Sequence, residues 1–380
     1  MHTLLQYLNT LNDPAGLTRT LGEIAVCRDG TGRMRYSAGN SAAVFRIEHA
    51  GAVKSLRCYM HPAPNRAAIY GDKLLRDELY VYTSPDRGEW TDVVVDDWIE
   101  GPTLDEAVAR AAAARDTARL AALSEAFDRL GASLVADDRA HGDLKPENLV
   151  VTASGELRPI DFDAAYLPEF AGMPSPELGT AAYRHPARSI SDFDASLDDY
   201  PVALISTALC ALTLDPTLYD RYRHREGLLF EPQRIASDPA LRDVLALFER
   251  RCLAARYRIA RLLLSPTLRL FGLEELLRHA AATPEMPESV PELFAEHGLW
   301  GYRTPERVVV PPVYDCGFDF TEGLATVRLG ASWHYVDTCG RLAVDASAYE
   351  CVKPFRRGRA RVRRDGRWFE IDPAGEERAI

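Results

Sequence analysis

The stretch HGDLKPENLVV at 141–151, followed after a short gap by PIDFD at 159–163, constrains this chain more than any other. It sets His141, Asp143, Lys145 and Asn148 within eight residues, with Asp161 and Asp163 about one hairpin later. Leu149 to Thr152 and Leu157 to Ile160 read as short strands turned by Ala153–Glu156, a hairpin that brings Asn148 and Asp161 together. The side-chain chemistry suits phosphoryl transfer. A carboxylate at Asp143 can orient a hydroxyl and accept its proton, and the Lys145 ammonium can neutralise a migrating phosphate. The Asn148 carboxamide oxygen and the Asp161 carboxylate are hard ligands of the kind that hold Mg²⁺ against phosphate oxygens. Plain polar turns between strands are the competing reading, weakened by two matches falling in the right order.

This spacing resembles the catalytic and metal-binding loops of the eukaryotic-type protein kinase superfamily. The resemblance implies ATP and Mg²⁺ as cofactors, with Asp143 and Lys145 catalytic and Asn148 and Asp161 on the metal. Upstream, Ala43 to Glu48 and Ala52 to Met60 read as two strands joined by a turn at His49–Gly51. Aligned on Val44, the piece Ser37, Gly39, Asn40, Ala42 follows a phosphate-covering loop, with Ser37, Gly39 and Ala42 where three glycines normally sit. Small residues there let backbone N–H groups approach phosphates; an ordinary hairpin turn is the alternative. Lys54, ten residues after Val44, matches the strand lysine that contacts nucleotide phosphates. A lysine pointing to solvent from an edge strand is the other reading. Its usual glutamate partner is missing from the expected helix Asn65 to Arg76, where only Asp72 has a plausible spacing. Glu78 falls later, at the next strand. Trp98 to Gly101 lies where the resemblance puts the adenine base.

HGD with IDFD is also the style of aminoglycoside and choline phosphotransferases. Three features favour the protein-kinase side: Lys145 two residues after Asp143, GTAAYRHPA at 179–187, and Asp198-Asp199-Tyr200 opening the apolar stretch Val202 to Leu214. Three positions depart from the pattern. Gly142 stands where many protein kinases have arginine, Asp163 where the DFG triplet has glycine, and Arg188 where A-P-E ends in glutamate. Thr180 is expected as a packing and hydrogen-bonding residue near Asp143 and Lys145, not as a phosphorylation switch.

From about Phe294 the composition shifts to Val, Tyr, Trp, Gly and Arg, and the chain repeats. Val313-Tyr314-Asp315 and Ala348-Tyr349-Glu350, Phe320 and Phe355, Trp333 and Trp368, and Gly340 and Gly375 all keep an offset of 35. Such a period indicates stacked supersecondary units, and these resemble the bacterial tryptophan–glycine (WG) β-repeat. The recurring aromatics are expected in the core between units. Arg357, Arg359, Arg361 and Arg363 alternate along a strand face, either solvated or a dock for an acidic partner.

A net charge of -11 argues against a nucleic-acid binder. Seven scattered cysteines without a CxxC pair read as reduced thiols. With no basic-plus-apolar leader and no apolar run long enough to span a bilayer, the expectation is a cytoplasmic protein without a membrane partner. The combined expectation is an α+β chain. A bilobal protein kinase-like domain covers 1–282, with an N-lobe at about 20–100 and a C-lobe at about 101–282. A linker at 283–292 leads to a small WG-type β-repeat domain at 293–380. The resemblance implies phosphate transfer from ATP to Ser/Thr of a protein substrate, the repeats recruiting substrate or regulator. A nucleotide-binding pseudokinase scaffold and a small-molecule phosphotransferase are the alternatives.

Overall fold

The computed structural model describes residues 2–39, 41–62, 65–224, 226–281 and 285–380. Helix α1 (Leu4–Leu11) opens with a capping box between Thr3 and Gln6, which satisfies backbone donors that a helix start leaves free. It buries Tyr7 and Leu11 against an antiparallel sheet. The strands are β1 (Ile24–Val26), β2 (Tyr36–Ala38), β3 (Ala42–His49) and β4 (Ala52–Tyr59), then, after α2 (Arg66–Tyr70), β5 (Leu74–Ser84) and β6 (Arg87–Asp97). They order as β1-β3-β4-β6-β5, with β2 added to β3. Side chains alternate along a strand, and here Phe45, Ile47, Leu56 and Cys58 face α1 and the sheet's core. Val44 and Arg57, paired across β3 and β4, therefore share the other face. The long helix expected at Asn65 to Arg76 is not formed. Only α2 and one 3₁₀ turn (Gly71–Lys73) occur before the chain enters β5, whose Leu74, Leu79 and Val81 bury as a strand should.

The middle of the chain is helical: α3 (Leu104–Ala113), α4 (Thr117–Ala136), the hairpin β7 (Leu149–Val151) and β8 (Leu157–Pro159), then α5 (Asp199–Leu214), α6 (Thr217–Tyr222), α7 (Pro239–Arg250), α8 (Ala254–Leu262) and α9 (Leu273–Ala281). Helix α5 is apolar on every side because it runs through the core. With the turn before it, it is the one described helical segment long and apolar enough to cross a membrane, and 83% of that window is buried inside the protein. Asp128 on α4, fully buried, meets Arg256 of α8 at 2.5 Å and accepts from Ser206 of α5 at 2.6 Å. Three helices are thus pinned by one paired buried charge.

Three antiparallel β-units follow. The first is β9 (Glu292–Glu296), β10 (Leu299–Arg303) and β11 (Val308–Tyr314). The second is β12 (Cys316–Gly317), β13 (Leu324–Leu329), β14 (Ser332–Asp337) and β15 (Leu342–Asp345). The third is β16 (Cys351–Val352), β17 (Ala360–Arg364), β18 (Arg367–Ile371) and β19 (Glu377–Ala379). A tyrosine locks each unit to the next. Tyr302 donates to Phe318 O at 2.8 Å and Tyr335 to Lys353 O at 2.7 Å, with Phe320 and Phe355 rings each 4.8 Å from those tyrosines. The tryptophans lie at the margin of the core: Trp300 and Trp333 pack against it partly buried. Arg328 and Arg363 cover the Trp333 and Trp368 rings, and of the two Trp368 is exposed. Tyr302, Val310 and Val327 join one continuous core with Phe248 and Tyr257 of α7 and α8. Between the two regions, residues 285–291 form neither helix nor strand, yet Glu285 O accepts from Arg307 at 3.2 Å. Taken together the chain is α+β.

Candidate functional site

The loop carrying Asp143 is hung from a buried carboxylate. Asp198, at the entry to α5 and fully buried, accepts the His141 N–H at 2.6 Å and the Gly142 N–H at 3.0 Å. His141 Nε2 meets Ile160 O at 2.8 Å, which ties this loop to the one carrying Asp161. Gly142 holds φ +79, and a Cβ there would lie 2.1 Å from Ala164 O, so no larger residue fits. Arg188 reaches this loop from another segment. Its buried guanidinium donates to Gly142 O at 2.9 Å and reaches Ser175 Oγ at 3.3 Å. The departures at 142 and 188 thus meet in one hydrogen bond, from the Arg188 guanidinium to the Gly142 carbonyl.

Asp143 sits in a network of donors. Thr180 N–H donates to its Oδ1 at 2.6 Å, Lys145 Nζ lies 3.2 Å from its Oδ2, and Asn148 Nδ2 donates to its main-chain oxygen at 2.9 Å. Lys145 also donates to Thr180 Oγ1 at 3.0 Å. Burial works against a charge on Asp143, but the Lys145 ammonium and the Thr180 donors outweigh it and hold the carboxyl below its ordinary pKa. The group is a carboxylate at neutral pH.

Ser37, Gly39, Ala42 and Val44 from the β2–β3 hairpin line one cavity of about 410 Å³ with Asp143, Lys145 and Asp161. Asn40 lies outside the described residues. Asn148 is buried beneath Asp143. Asp161, at φ +69, is held in a region that non-glycine residues occupy only when their surroundings demand it.

Lys54 is not in this cavity. It pairs with Asp97 at 2.5 Å and lines a shallow outer groove with His49 and Asp72. Its place in the cleft belongs to Arg57, three residues on and so on the opposite face of β4. One guanidinium nitrogen of Arg57 lies 2.7 Å from Asp161 Oδ1 and 2.6 Å from Asp163 Oδ2. Burial opposes the charge on Arg57, and the two aspartates more than restore it. Asp163 Oδ1 in turn accepts from Tyr59 at 2.9 Å and Tyr70 at 2.7 Å. Asp72, weighed as a helix acid for Lys54, does not reach the cleft. Glu78 is buried elsewhere, accepting the N–H groups of Arg19, Thr20 and Leu21.

Sequence reading missed Arg57, Tyr59, Tyr70 and Glu177. Glu177 lines the cavity, and burial, followed by the fields of Asp143, Asp161 and Asp163, raises its pKa. Parity could have found Arg57, because Lys54 shares its face with core Leu56 and Cys58. No local signal marks the tyrosines. Among the described residues no group of three or more His, Cys, Asp or Glu forms a metal cage. Of the two residues expected on a metal, Asp161 lines the cavity and Asn148 lies buried beside it, one carboxylate and one carboxamide, a set that suits a cation bound chiefly through water and ligand oxygens.

No curated protein matches this chain. The family model described as WG containing repeat matches residues 306–333, which run from just before β11 into β14.

Proposed function

We propose that the chain is a protein kinase-like phosphotransferase that uses Mg·ATP to phosphorylate Ser or Thr of a protein, the β-repeats recruiting substrate or regulator. On this reading the N-terminal sheet and the helical region are the two lobes of a kinase-like fold. One observation carries the proposal: the β2–β3 hairpin, Arg57 and both polar loops converge on a single cavity.

Asp143, ionised and aimed by Thr180 and Asn148, orients the acceptor hydroxyl and takes its proton. Lys145, beside it, offsets charge on the phosphate in flight. Asn148 gives its nitrogen to Asp143, which leaves its oxygen to join Asp161 in holding Mg²⁺. When bound, that ion draws phosphate oxygens together and offsets their charge. Arg57 replaces Lys54 as the strand cation toward the phosphates. The test is Mg²⁺-dependent ADP release and labelled phosphate on protein, for wild type beside Asp143→Asn and Asp161→Ala. Activity in wild type alone supports the reading; label found only on a small metabolite would replace the protein substrate.

A nucleotide-holding scaffold without turnover is the second reading, favoured by the guanidinium of Arg57 resting on Asp161 Oδ1. ATP bound by all three proteins with no ADP released would select it.

A further inference from the structure

The third β-unit carries a groove of about 600 Å³ lined by Lys353, Arg356, Arg357, Arg359, Arg361 and Glu370. Five cations face a single carboxylate, in a chain whose net charge is -11. Among the described residues, Arg361 meets Glu370 at 3.7 Å, while Lys353, Arg356, Arg357 and Arg359 form no ion pair. Like charges held this close repel one another, and these four do so without a carboxylate paired to them.

The matching face of the second unit has a different chemistry. Counterparts at the offset of 35 are Glu322 for Arg357, Leu324 for Arg359, Thr326 for Arg361 and Tyr335 for Glu370. That face is covered by the third unit. Tyr335 and Thr326 are buried, and Glu322 accepts the N–H groups of Arg357 and Gly358 at 2.5 and 2.9 Å. In the third unit the same surface is exposed, its apolar and acceptor groups exchanged for guanidinium. It is unsuited to another unit of the same kind and suited to an anionic occupant.

We infer that this groove binds an extended acidic peptide with carboxylates at alternating positions. Arg359, just before β17, and Arg361, within it, are two residues apart, so in extended chain their side chains repeat at roughly 6.6 Å, the interval between alternate residues of an extended peptide. Arginine forks match carboxylates in paired hydrogen bonds. No aromatic ring lines the groove for a base to stack on, which favours a peptide over a nucleic acid. The inference gives the recruitment role proposed for the repeats a chemistry. It is measured without turnover, so its failure and that of the cleft reading are distinguishable.

The experiment is fluorescence anisotropy of a labelled peptide alternating Glu and Thr, titrated with the full chain. Saturable binding that weakens as salt rises is expected. The double variant Arg357→Glu/Arg359→Glu should weaken it by about tenfold or more, while Arg87→Glu, exposed on the distant β5–β6 hairpin, should stay within about twofold. Both substitutions are at exposed positions, and matching thermal melts establish that the fold is intact. No saturable binding overturns the inference. So does equal weakening by Arg87→Glu, which would show only overall charge, or tighter binding of oligothymidylate of equal charge.

Discussion

Arg57 and Asp163 meet at 2.6 Å across the cleft, joining the N-terminal sheet to the loop that follows the β7–β8 hairpin. Both side chains are mostly buried, so their charges are weakly screened and each depends on the other. A glycine at 163, as in the DFG triplet, would have no group to offer here. The aspartate makes the sheet and the helical region one electrostatic unit, with Tyr59 and Tyr70 completing its hydrogen bonds.

Removing that charge should loosen the unit. Asp163→Asn is expected to cost about 2 kcal/mol, the scale of hydrogen bonds to a charged acceptor, and Tyr70→Phe about 1 kcal/mol. Urea unfolding of the two variants beside wild type checks both. Equal stability of all three would remove the latch from the account.

Strand parity makes a second expectation. If ATP occupies the cleft, Arg57→Ala should weaken its binding by tenfold or more, about 1.4 kcal/mol, and Lys54→Ala should leave it nearly unchanged. Calorimetric titration with Mg·ATP decides between them. A large loss at Lys54 with none at Arg57 would reverse the assignment.

Gly142 and Gly155 separate crowding from backbone strain. Both hold positive φ, +79 and +83, but a Cβ at 142 strikes Ala164 O and one at 155 meets nothing within 4 Å. Gly155→Ala should therefore cost about 1 kcal/mol. Gly142→Ala should cost about 2–4 kcal/mol and shift the Asp143 loop. Thermal melts of the pair read the difference directly.

Asp199 gives a pH signature. Burial raises its pKa to about 6, although its carboxylate accepts the Leu270 N–H at 2.7 Å. The folded protein therefore holds a proton there that the unfolded chain releases nearer pH 4. Its contribution to stability is full below that lower value and is lost as pH rises through about 6. Asp199→Asn keeps an acceptor and removes the charge. It should flatten the pH dependence of Tm between pH 4 and 6 and raise Tm at pH 7.

The polar loops were legible because their chemistry is local: Asp143, Lys145 and Asn148 fall within one loop, and a short hairpin delivers Asp161. The apolar run from Val202 and the 35-residue period were legible for the same reason, since each repeats its own signal. Lys54 misled because an AVK triplet was read without its strand's parity. The Asn65 to Arg76 segment misled because its apolar spacing fits a helix, while β6 offers Leu74 and Leu75 strand partners that local sequence cannot show. Gly142 and Arg188 looked like separate departures, and only the structure shows that the Arg188 guanidinium bonds the Gly142 carbonyl. The repeat aromatics were expected in the core as a class. The tyrosines took that place because a buried ring with a hydroxyl can also bond a neighbouring unit's carbonyl.

The first two β-units share their apolar interior with α7 and α8, and Glu249 of α7 accepts from Ala331 N–H and Ser332 Oγ at 3.0 and 2.7 Å. Cutting the chain near Met286 would thus strip a wall from the helices and leave Phe248 and Tyr257 facing water. The repeats are a bracket bolted to the helical body, not a ball on a string. A peptide seated on them would approach the cleft from one fixed direction, and its reach would be set by its own length.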